Sequence, residues 1–369
     1  MIDSLSGKKR TATNTLRKKA TVMKTIQTLK GPRDLDQYHR LCAHEHLLLD
    51  MTHEAVEPNS EEEKTLFYGE VTMERLGVLR RNPYIVRDNL ILDSTEDAIR
   101  ELTYLHKHQV DLFLDLTPMG LGRDTRKLKE ISDQTDIDIV CGTGFFVHDA
   151  LSEELSVLTT EEMTEIMLRE IREGIEDTGI RAGVIGEVGV SEKIYPVERR
   201  SLLASAAVYR QTGLPIYLHT YPWSAAGLEA TELLIENGVD PKSICVCHID
   251  VTFDYAYLLQ LLKLGVYIEF DNFGKEFYFP PQDGAFAGGP FATDVERVRT
   301  LKQLINDGYV NQLLIANDIC LKASLHKYGG WGYDHIFENI MPMMQLEKIA
   351  AEDINQIVDQ NPIRFLKQV

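Results

Sequence analysis

The chain of 369 residues lacks long apolar runs, and this shortage argues against a membrane protein. No segment approaches about 18 consecutive apolar residues, the length that a transmembrane helix needs. The beginning of the chain also lacks the apolar run of about seven or more residues that marks a secretory signal. Cysteine is scarce, with five residues in the whole chain. This odd, small number makes a disulfide framework unexpected and favours a cytoplasmic location.

Basic residues are outnumbered, with 39 Lys and Arg against 57 Asp and Glu, and the formal net charge is −18. Such acidity argues against nucleic acid as a partner for the body of the protein. The exception is the segment 1–30, where eight basic residues stand against Asp3 alone. A targeting or nucleic-acid arm is one interpretation, but we predict a disordered extension at residues 1–19. Residues 20–369 are predicted to form one domain.

Strand-like and helix-like segments alternate along residues 20–369. Eight strand-like runs are recognised, one before His44 and the others at residues 110–116, 137–141, 183–187, 214–219, 244–248, 266–270 and 313–318. Regular alternation favours a parallel sheet with helices outside it. Eight such units predict an α/β fold of the (β/α)8 TIM-barrel type. A short strand pair that turns at Gly31-Pro32 is expected ahead of the barrel.

Residues that can bind metals stand at the ends of these strands. They are His44 and His46 at the first strand, and Glu187, His219, His248 and Asp318 at four later ones. A parallel barrel collects the carboxyl ends of its strands at one mouth, so we expect the six side chains to meet there. Four histidines and two carboxylates suit two ions such as zinc rather than calcium, although manganese, cobalt and iron accept the same ligands.

Each of these residues, taken singly, also has an ordinary explanation as an ion-paired or core side chain. Burying all six without a metal would be costly, so the set favours a metal site. The run Cys245-Val246-Cys247-His248 looks like a further metal motif. However, Cys245 and Cys247 are two positions apart and share one face of a strand, while His248 points to the other. We therefore predict that the two cysteines are small core residues.

Five motifs resemble, in order and spacing, the metal motifs of the phosphotriesterase family within the amidohydrolase superfamily. They are His44-Glu45-His46-Leu47, Gly186-Glu187-Val188-Gly189, Leu218-His219-Thr220, Cys247-His248-Ile249-Asp250 and Ala316-Asn317-Asp318. The founding members of the family bridge their metals with a carboxylated lysine on strand four. Here that strand ends in Gly186-Glu187, which resembles the branch of phosphotriesterase-related proteins, where a glutamate bridges.

The resemblance implies a binuclear centre at the barrel mouth and a role for each ligand. His44, His46 and Asp318 would hold a buried ion, His219 and His248 a more exposed one, and Glu187 would bridge the two. A hydroxide between the ions would attack a carbonyl carbon or phosphorus, and Asp318 would accept its proton. Asp250 relays protons or orients a ligand, or else it is an ordinary loop carboxylate. A homodimer is a further implication of the family.

The long loops after the seventh and eighth strands are expected to shape the substrate pocket. Pocket candidates are Arg123, Lys275, Tyr278, Trp331 and Tyr333, with Phe286 as a further aromatic. These loops are largely apolar and no cluster of Arg and Lys is recognised at the mouth. We therefore predict a small carboxylic ester or lactone as substrate, with organophosphorus esters as a side activity.

Other functions remain open at this point. An N-acyl amide hydrolase would need a cation near the pocket, for which Arg123 and Lys275 are the candidates. A phosphotriesterase is a further hydrolase alternative. A one-metal barrel of the deaminase type would not use Glu187 as a bridge. A ligand-binding protein that has kept the barrel but lost the chemistry belongs to another class altogether.

Overall fold

The structure is a computed structural model that describes residues 25–279 and 288–367, and its first element is an antiparallel strand pair. Strands β1 (Thr25–Thr28) and β2 (Gly31–Asp34) pair with Thr28 opposite Gly31. Leu29 and Lys30 make the turn, not Gly31-Pro32, because Gly31, with a φ of 100°, already belongs to the second strand. The predicted extension at residues 1–19 lies outside the described residues.

Eight parallel strands form one sheet that is nearly closed into a barrel, as the sequence predicts. After β2, the strands in chain order are β3 (Leu41–Glu45), β4 (Leu49–Asp50), β5 (Ile91–Leu92), β6 (Leu112–Asp115), β7 (Asp138–Thr143), β8 (Val184–Val190), β9 (Ile216–Thr220), β10 (Ile244–Val246), β11 (Tyr267–Phe270) and β12 (Leu313–Ile315). β4 and β5 form a separate antiparallel pair, and the sheet order is β3-β6-β7-β8-β9-β10-β11-β12. The Asp318 amide donates to the His44 carbonyl at 3.2 Å, so the two edges meet at the carboxyl end.

Helices connect most of the barrel strands. Those in the described residues are α1 (Glu61–Phe67), α2 (Leu76–Leu79), α3 (Thr95–Thr103), α4 (Thr125–Asp133), α5 (Glu153–Ser156), α6 (Thr160–Arg172), α7 (Pro196–Thr212), α8 (Ala226–Glu236), α9 (Tyr255–Leu264), α10 (Asp294–Asn306), α11 (Met341–Leu346), α12 (Ala351–Asn355) and α13 (Asn361–Leu366). Reciprocal hydrogen bonds between Thr159 and Glu162 start α6, because the first amides of a helix lack internal partners. No helix in the described part of the chain is long and apolar enough to cross a membrane.

The barrel interior is filled by buried side chains that include Cys245 and Cys247. Burial raises the pKa of Cys245 to about 11, so this thiol is neutral at physiological pH. The prediction that both cysteines are core residues is therefore confirmed. β10 ends at Val246, and His248 follows with a positive φ of 61°. The direction of the His248 side chain is set by this turn of the backbone and not by strand alternation.

Candidate metal centre

Two histidines from the first barrel strand face two carboxylates from distant parts of the chain. His44 lies in β3, His46 follows its last residue, and both are buried. His44 Nε2 lies 3.3 Å from Glu187 Oε1 and 3.7 Å from Asp318 Oδ1. His46 Nε2 lies 3.1 Å from Asp318 Oδ1 and 3.5 Å from Glu187 Oε2. The spacing of two along a strand therefore brings both imidazoles to the same carboxylates.

The remaining two histidines converge on Glu187, which lies on β8. His248 Nε2 lies 2.9 Å from Glu187 Oε1, and His219 Nδ1 lies 3.4 Å from the same atom. Burial would raise the pKa of Glu187, but the histidines, with His44 foremost, lower it well below its usual range. The carboxylate is therefore ionised and is reached by His44 and His46 as well as by His219 and His248. This is the position that a bridging ligand requires.

His248 and Asp318 reach the cluster through strained backbone conformations. Their φ angles are 61° and 48°, a region in which non-glycine residues cost about 1–3 kcal/mol each. Glu45 supports this geometry at Asp318, because its carboxyl group, whose pKa burial raises to about 8, accepts hydrogen bonds from the two neighbouring amides. The distances are 3.0 Å to Asn317 N and 2.8 Å to Ile319 N. Holding these two side chains in place therefore lowers the stability of the fold.

The six residues fit a pair of divalent transition-metal ions. Two groups of three have all their ligand atoms within 4.8 Å of one another: His44 with His46 and Asp318, and His44 with Glu187 and His248. His44 Nε2 and His219 Nδ1 are buried, and no described residue forms a hydrogen bond with either atom. Buried polar atoms are normally satisfied, and coordination would satisfy both nitrogens. Imidazole and carboxylate ligands suit zinc and its neighbours.

Sequence analysis missed the side chains that lie behind the histidines. The contacts are His44 Nδ1 to Glu269 Oε2 at 2.9 Å, His248 Nδ1 to Asp271 Oδ1 at 3.0 Å, and His46 Nδ1 to Thr117 Oγ1 at 2.9 Å. One signal was available in the sequence. Glu269 is a charged residue inside the apolar run 266–270, and an unpaired carboxylate in a buried strand would be costly. Such a residue predicts a partner inside the barrel.

Asp250 is buried behind these residues and is not among the described residues that line the cavity next to the cluster. It accepts hydrogen bonds from Asn272 N at 3.1 Å and Asn272 Nδ2 at 2.8 Å, and it pairs with Arg297 Nε at 3.0 Å. Asn272 Nδ2 also donates to Asp271 Oδ1 at 2.7 Å. Of the two interpretations left open by the sequence, these contacts favour the orienting one over an exposed loop carboxylate.

The cluster opens into a cavity of about 200 Å³, and Lys275 is among the described residues that line it. Phe146, Phe277 and Leu321 contribute apolar walls. Lys275 is 5% exposed, and its Nζ donates to Asp318 Oδ2. Burial would lower the pKa of Lys275, but Asp318 raises it above the usual range, so the group is an ammonium. Lys275 is the one Lys or Arg among the described residues that line the cavity.

Arg123 and Tyr333, two predicted pocket residues, are occupied by structural contacts. Arg123 donates to both carboxylate oxygens of Glu170, at 3.0 and 2.6 Å, and to the Gly142 carbonyl at 2.9 Å. Tyr333 is buried, and its hydroxyl donates to the His46 carbonyl at 2.7 Å. Arg123 therefore joins the barrel to its helix layer, and Tyr333 supports a ligand-bearing strand from behind.

The other predicted aromatic pocket residues lie outside the cavity wall. Tyr278 and Trp331 are 70% and 56% exposed, and neither is among the described residues that line the cavity. Trp331 stacks on the His335 ring with centroids 4.9 Å apart. Phe286 lies outside the described residues. Of the predicted pocket residues that can be placed, Lys275 alone borders the cavity.

Comparison with known proteins gives consistent matches over nearly the whole chain. The model of the phosphotriesterase family matches residues 24–366. A phosphotriesterase-related protein from Nematostella vectensis is 36% identical over 344 residues, which cover 92% of this chain and 97% of the relative. An N-acetyltaurine hydrolase from Xenopus tropicalis is 33% identical with the same coverage. The crystal structure of a resiniferatoxin-binding protein from Rhodobacter sphaeroides has a TM-score of 0.89 and 28% identity, covering 93% of this chain and 95% of that one.

Proposed function

This chain belongs to the phosphotriesterase family, and we propose that it is a metal-dependent amide hydrolase. Its substrates would join a short acyl group to an amine that also carries an acid group. Relatives named N-acetyltaurine hydrolase, at 33% and 34% identity over 92% of the chain, support the amide. The sequence-based prediction of an ester or lactone substrate depends on the apolar loops after the seventh and eighth strands. Most of the loop residues named for that pocket lie outside the cavity wall.

Lys275 is the observation that carries the proposal. It places a positive charge inside a small cavity, next to the candidate metal ligand Asp318. An ammonium has three N–H groups, so donors remain after the contact with Asp318. A substrate with a carboxylate or sulfonate would form an ion pair with this charge, whereas a neutral ester or lactone could only accept a hydrogen bond from it. Charge-assisted hydrogen bonds of this kind are strong when they are shielded from water.

The protein's own groups have defined tasks in the proposed reaction. When bound, the metal ions would polarise the amide carbonyl and lower the pKa of water. Asp318 would take the proton from the attacking water and pass it to the amine nitrogen, because an unprotonated amine leaves poorly. Against the effect of burial, Lys275 and the histidines hold the pKa of Asp318 well below the usual range. The carboxylate is therefore ionised and able to accept a proton.

The size of the cavity limits the acyl group. Pockets for drug-sized ligands measure roughly 300–1,000 Å³, and the cavity bordered by the described residues measures about 200 Å³. Phe146 and Phe277 give it an apolar wall against which an acetyl or similarly short chain would pack. We therefore expect acetyl amides to be better substrates than their long-chain counterparts.

The proposal is tested by the preference for a charged amide over a neutral one. The metal-loaded enzyme is assayed with N-acetyltaurine, with N-ethylacetamide, which lacks the sulfonate, and with the acetate ester of 2-hydroxyethanesulfonate. We expect N-acetyltaurine to exceed the neutral amide in kcat/KM by about 10- to 150-fold, the range of one charged hydrogen bond. In Lys275→Met this ratio should collapse. Because the ratio compares two substrates on one enzyme, any general damage at Asp318 cancels.

Lys327→Met is the matched control, since Lys327 pairs with Asp97 at 2.7 Å and is not among the described residues that line the cavity. In this variant the ratio of kcat/KM for N-acetyltaurine to kcat/KM for N-ethylacetamide should equal that of the wild type. Equal kcat/KM for the charged and neutral amides in the wild type would contradict the assignment of Lys275. Rapid hydrolysis of the ester without hydrolysis of the amide would instead support an ester hydrolase.

A ligand-binding role is the second candidate, and the name of the resiniferatoxin-binding protein with a TM-score of 0.89 favours it. The complete set of six candidate ligands argues for catalysis, because a barrel that only binds has no need to keep Asp318 and Glu187 as neighbours of four histidines. A protein that binds two ions per chain yet hydrolyses no amide, ester, lactone or phosphotriester would support the binding role. A stoichiometry of one ion would instead favour the one-metal alternative.

A further inference from the structure

We propose that Glu269 and Asp271 are positioning residues, each of which fixes one histidine in a different half of the metal centre. Glu269 lies in β11 and Asp271 follows its last residue, and both side chains are completely buried. Being two positions apart, they project to the same side of the sheet. β11 carries none of the six candidate ligands. The inference rests on the two-metal centre of the proposed function.

Glu269 determines which nitrogen of His44 carries the proton. Its Oε2 lies 2.9 Å from His44 Nδ1, while His44 Nε2 faces Glu187 and Asp318 at 3.3 and 3.7 Å. A neutral imidazole has one N–H and one lone pair. The carboxylate accepts the N–H at Nδ1 and leaves the lone pair at Nε2, the side from which an ion would be coordinated. A tautomer with the proton at Nε2 would block that coordination.

Asp271 fixes both the backbone and the ring of His248. Asp271 Oδ2 accepts the His248 amide at 2.9 Å, and Oδ1 lies 3.0 Å from His248 Nδ1. The ring is thereby turned so that its Nε2 lies 2.9 Å from Glu187 Oε1. His248 has a positive φ of 61°, and the double contact provides a reason why this conformation persists. Asp271 Oδ2 also lies 3.6 Å from His44 Nδ1, which is beyond the 2.9 Å contact of Glu269 with that atom. Among the histidines, the hydrogen bonds of Asp271 therefore go to His248, and that of Glu269 goes to His44.

In the described part of the chain, no such carboxylate lies behind the rings of the other two histidines. His46 Nδ1 contacts the neutral hydroxyl of Thr117 at 2.9 Å. His219 turns Nδ1 itself towards Glu187, at 3.4 Å. Among the described residues, each half of the centre thus has one histidine backed by a carboxylate and one without. This distribution assigns Glu269 to the ion of His44 and His46, and Asp271 to the ion of His219 and His248.

The two carboxylates also balance charge in a buried place. Two divalent ions and the Lys275 ammonium would exceed the negative charge of Glu187 and Asp318 alone. Buried charge is tolerated when it is paired, and Glu269 and Asp271 bring two further carboxylates within reach of the ligands. A purely orienting role needs only a hydrogen-bond acceptor, whereas charge balance needs the carboxylate itself. The two contributions can therefore be separated by substitution.

The experiment measures metal affinity in the absence of substrate. Zinc dissociation constants are determined by chelator competition for the wild type, Glu269→Ala, Glu269→Gln, Asp271→Ala and Asp271→Asn. We expect each alanine variant to raise the dissociation constant of one of the two ions by about 10- to 100-fold. The affected ion should differ between the two variants. Glutamine and asparagine keep a hydrogen-bond acceptor but lose the charge. The difference in zinc affinity between the alanine variant and the amide variant therefore measures the contribution of orientation. If Glu269→Ala fails to fold, Glu269→Gln still tests the idea through its loss of charge.

A double-variant cycle and a buried control make the result decisive. In a His44→Ala background, measured at higher zinc concentration because binding is weaker, Glu269→Ala and Glu269→Gln should have equal affinities, because only the orienting contribution of Glu269 passes through that ring. Glu101→Gln is the control, since Glu101 is equally buried but bonds His326 and Lys327 instead of the candidate ligands. Wild-type affinity for both ions in Glu269→Ala and Asp271→Ala would overturn the inference. A wild type that binds two ions but hydrolyses no amide would contradict only the proposed function.

Discussion

Replacing Glu45 with alanine should destabilise the fold and slow turnover together, although Glu45 lies among the ligands without facing them. Its Oε1 accepts hydrogen bonds from Asn317 N at 3.0 Å and Asn317 Nδ2 at 2.8 Å, and its Oε2 accepts from Ile319 N at 2.8 Å. These bonds tie the last barrel strand to the first. They also hold the residues on both sides of Asp318.

The expected loss of stability follows from the donors left unpaired. The side-chain amide of Asn317 keeps a second acceptor, the Tyr333 carbonyl at 3.0 Å. Two buried backbone amides, at Asn317 and Ile319, are therefore orphaned in Glu45→Ala. At about 1–3 kcal/mol for each, the free energy of unfolding should fall by about 2–6 kcal/mol. Glu45→Gln keeps an acceptor for Asn317 but turns its NH₂ group towards Ile319 N, so its loss should be about half as large.

Urea unfolding and steady-state kinetics check both parts of this prediction. Since Asp318 would lose the contacts that hold its φ of 48°, we expect kcat of folded Glu45→Ala to fall by about 10-fold or more. Glu101→Ala is a matched control that also orphans two loop amides, His326 N and Lys327 N. It should lose similar stability and keep its kcat. Less than about 1 kcal/mol lost in Glu45→Ala, or an unchanged kcat, would refute the reasoning.

Other perturbations have equally direct outcomes. His44→Ala and His219→Ala should each lose bound metal and activity together, measured by elemental analysis beside the assay; unchanged metal content and activity would remove that residue from the centre. Asp318→Asn should lower kcat far more than it raises KM, and unchanged turnover would exclude it as the proton carrier. Removing metal with a chelator should lower the Tm, and restoring zinc should recover it. Arg297→Met leaves the buried carboxylate of Asp250 unpaired and should cost about 3–5 kcal/mol in urea unfolding; a loss below about 1 kcal/mol would show that solvent or another group compensates.

The strand positions and the convergence of the six candidate ligands were predictable from the sequence. Strands such as β8 and β9 appear as short apolar runs, and His219 comes near the carboxyl end of β9. Glu187 was expected to end its strand but lies in the middle of β8, which continues to Val190. The geometry of a parallel barrel then brings those ends together whatever the chain separation. Asp318 does not follow from this argument alone, because β12 ends at Ile315. A positive φ at Asp318, three residues later, brings its side chain to the other ligands.

Pocket residues were poorly predictable because their surroundings depend on distant partners. Arg123 was a plausible anion-binding residue, but Glu170, 47 positions later, occupies its guanidinium. Tyr333 was a plausible wall residue, but its hydroxyl is used by the His46 carbonyl. No local pattern in the sequence indicates which charged or aromatic loop residue will be captured in this way. Lys275 differs because its partner, Asp318, is itself part of the cavity wall.

The residues behind the ligands were missed for a related reason. Glu269 stands in an apolar strand, which signals a buried partner, but strand alternation alone does not reveal that His44 is that partner. Asp271 stands just beyond the strand, where carboxylates are common in loops. Pairing across the sheet decides both contacts, and this pairing is a property of the closed barrel.

The most direct test of the account is the release of taurine from N-acetyltaurine by the metal-loaded wild-type protein. Turnover is measured before chelation, after chelation and after zinc is restored, with ion stoichiometry determined on the same samples. The account predicts turnover at two ions per chain, its loss on chelation and its recovery with zinc. Turnover that survives complete removal of metal, or no release of taurine by protein carrying two ions while a neutral ester is hydrolysed, would contradict it.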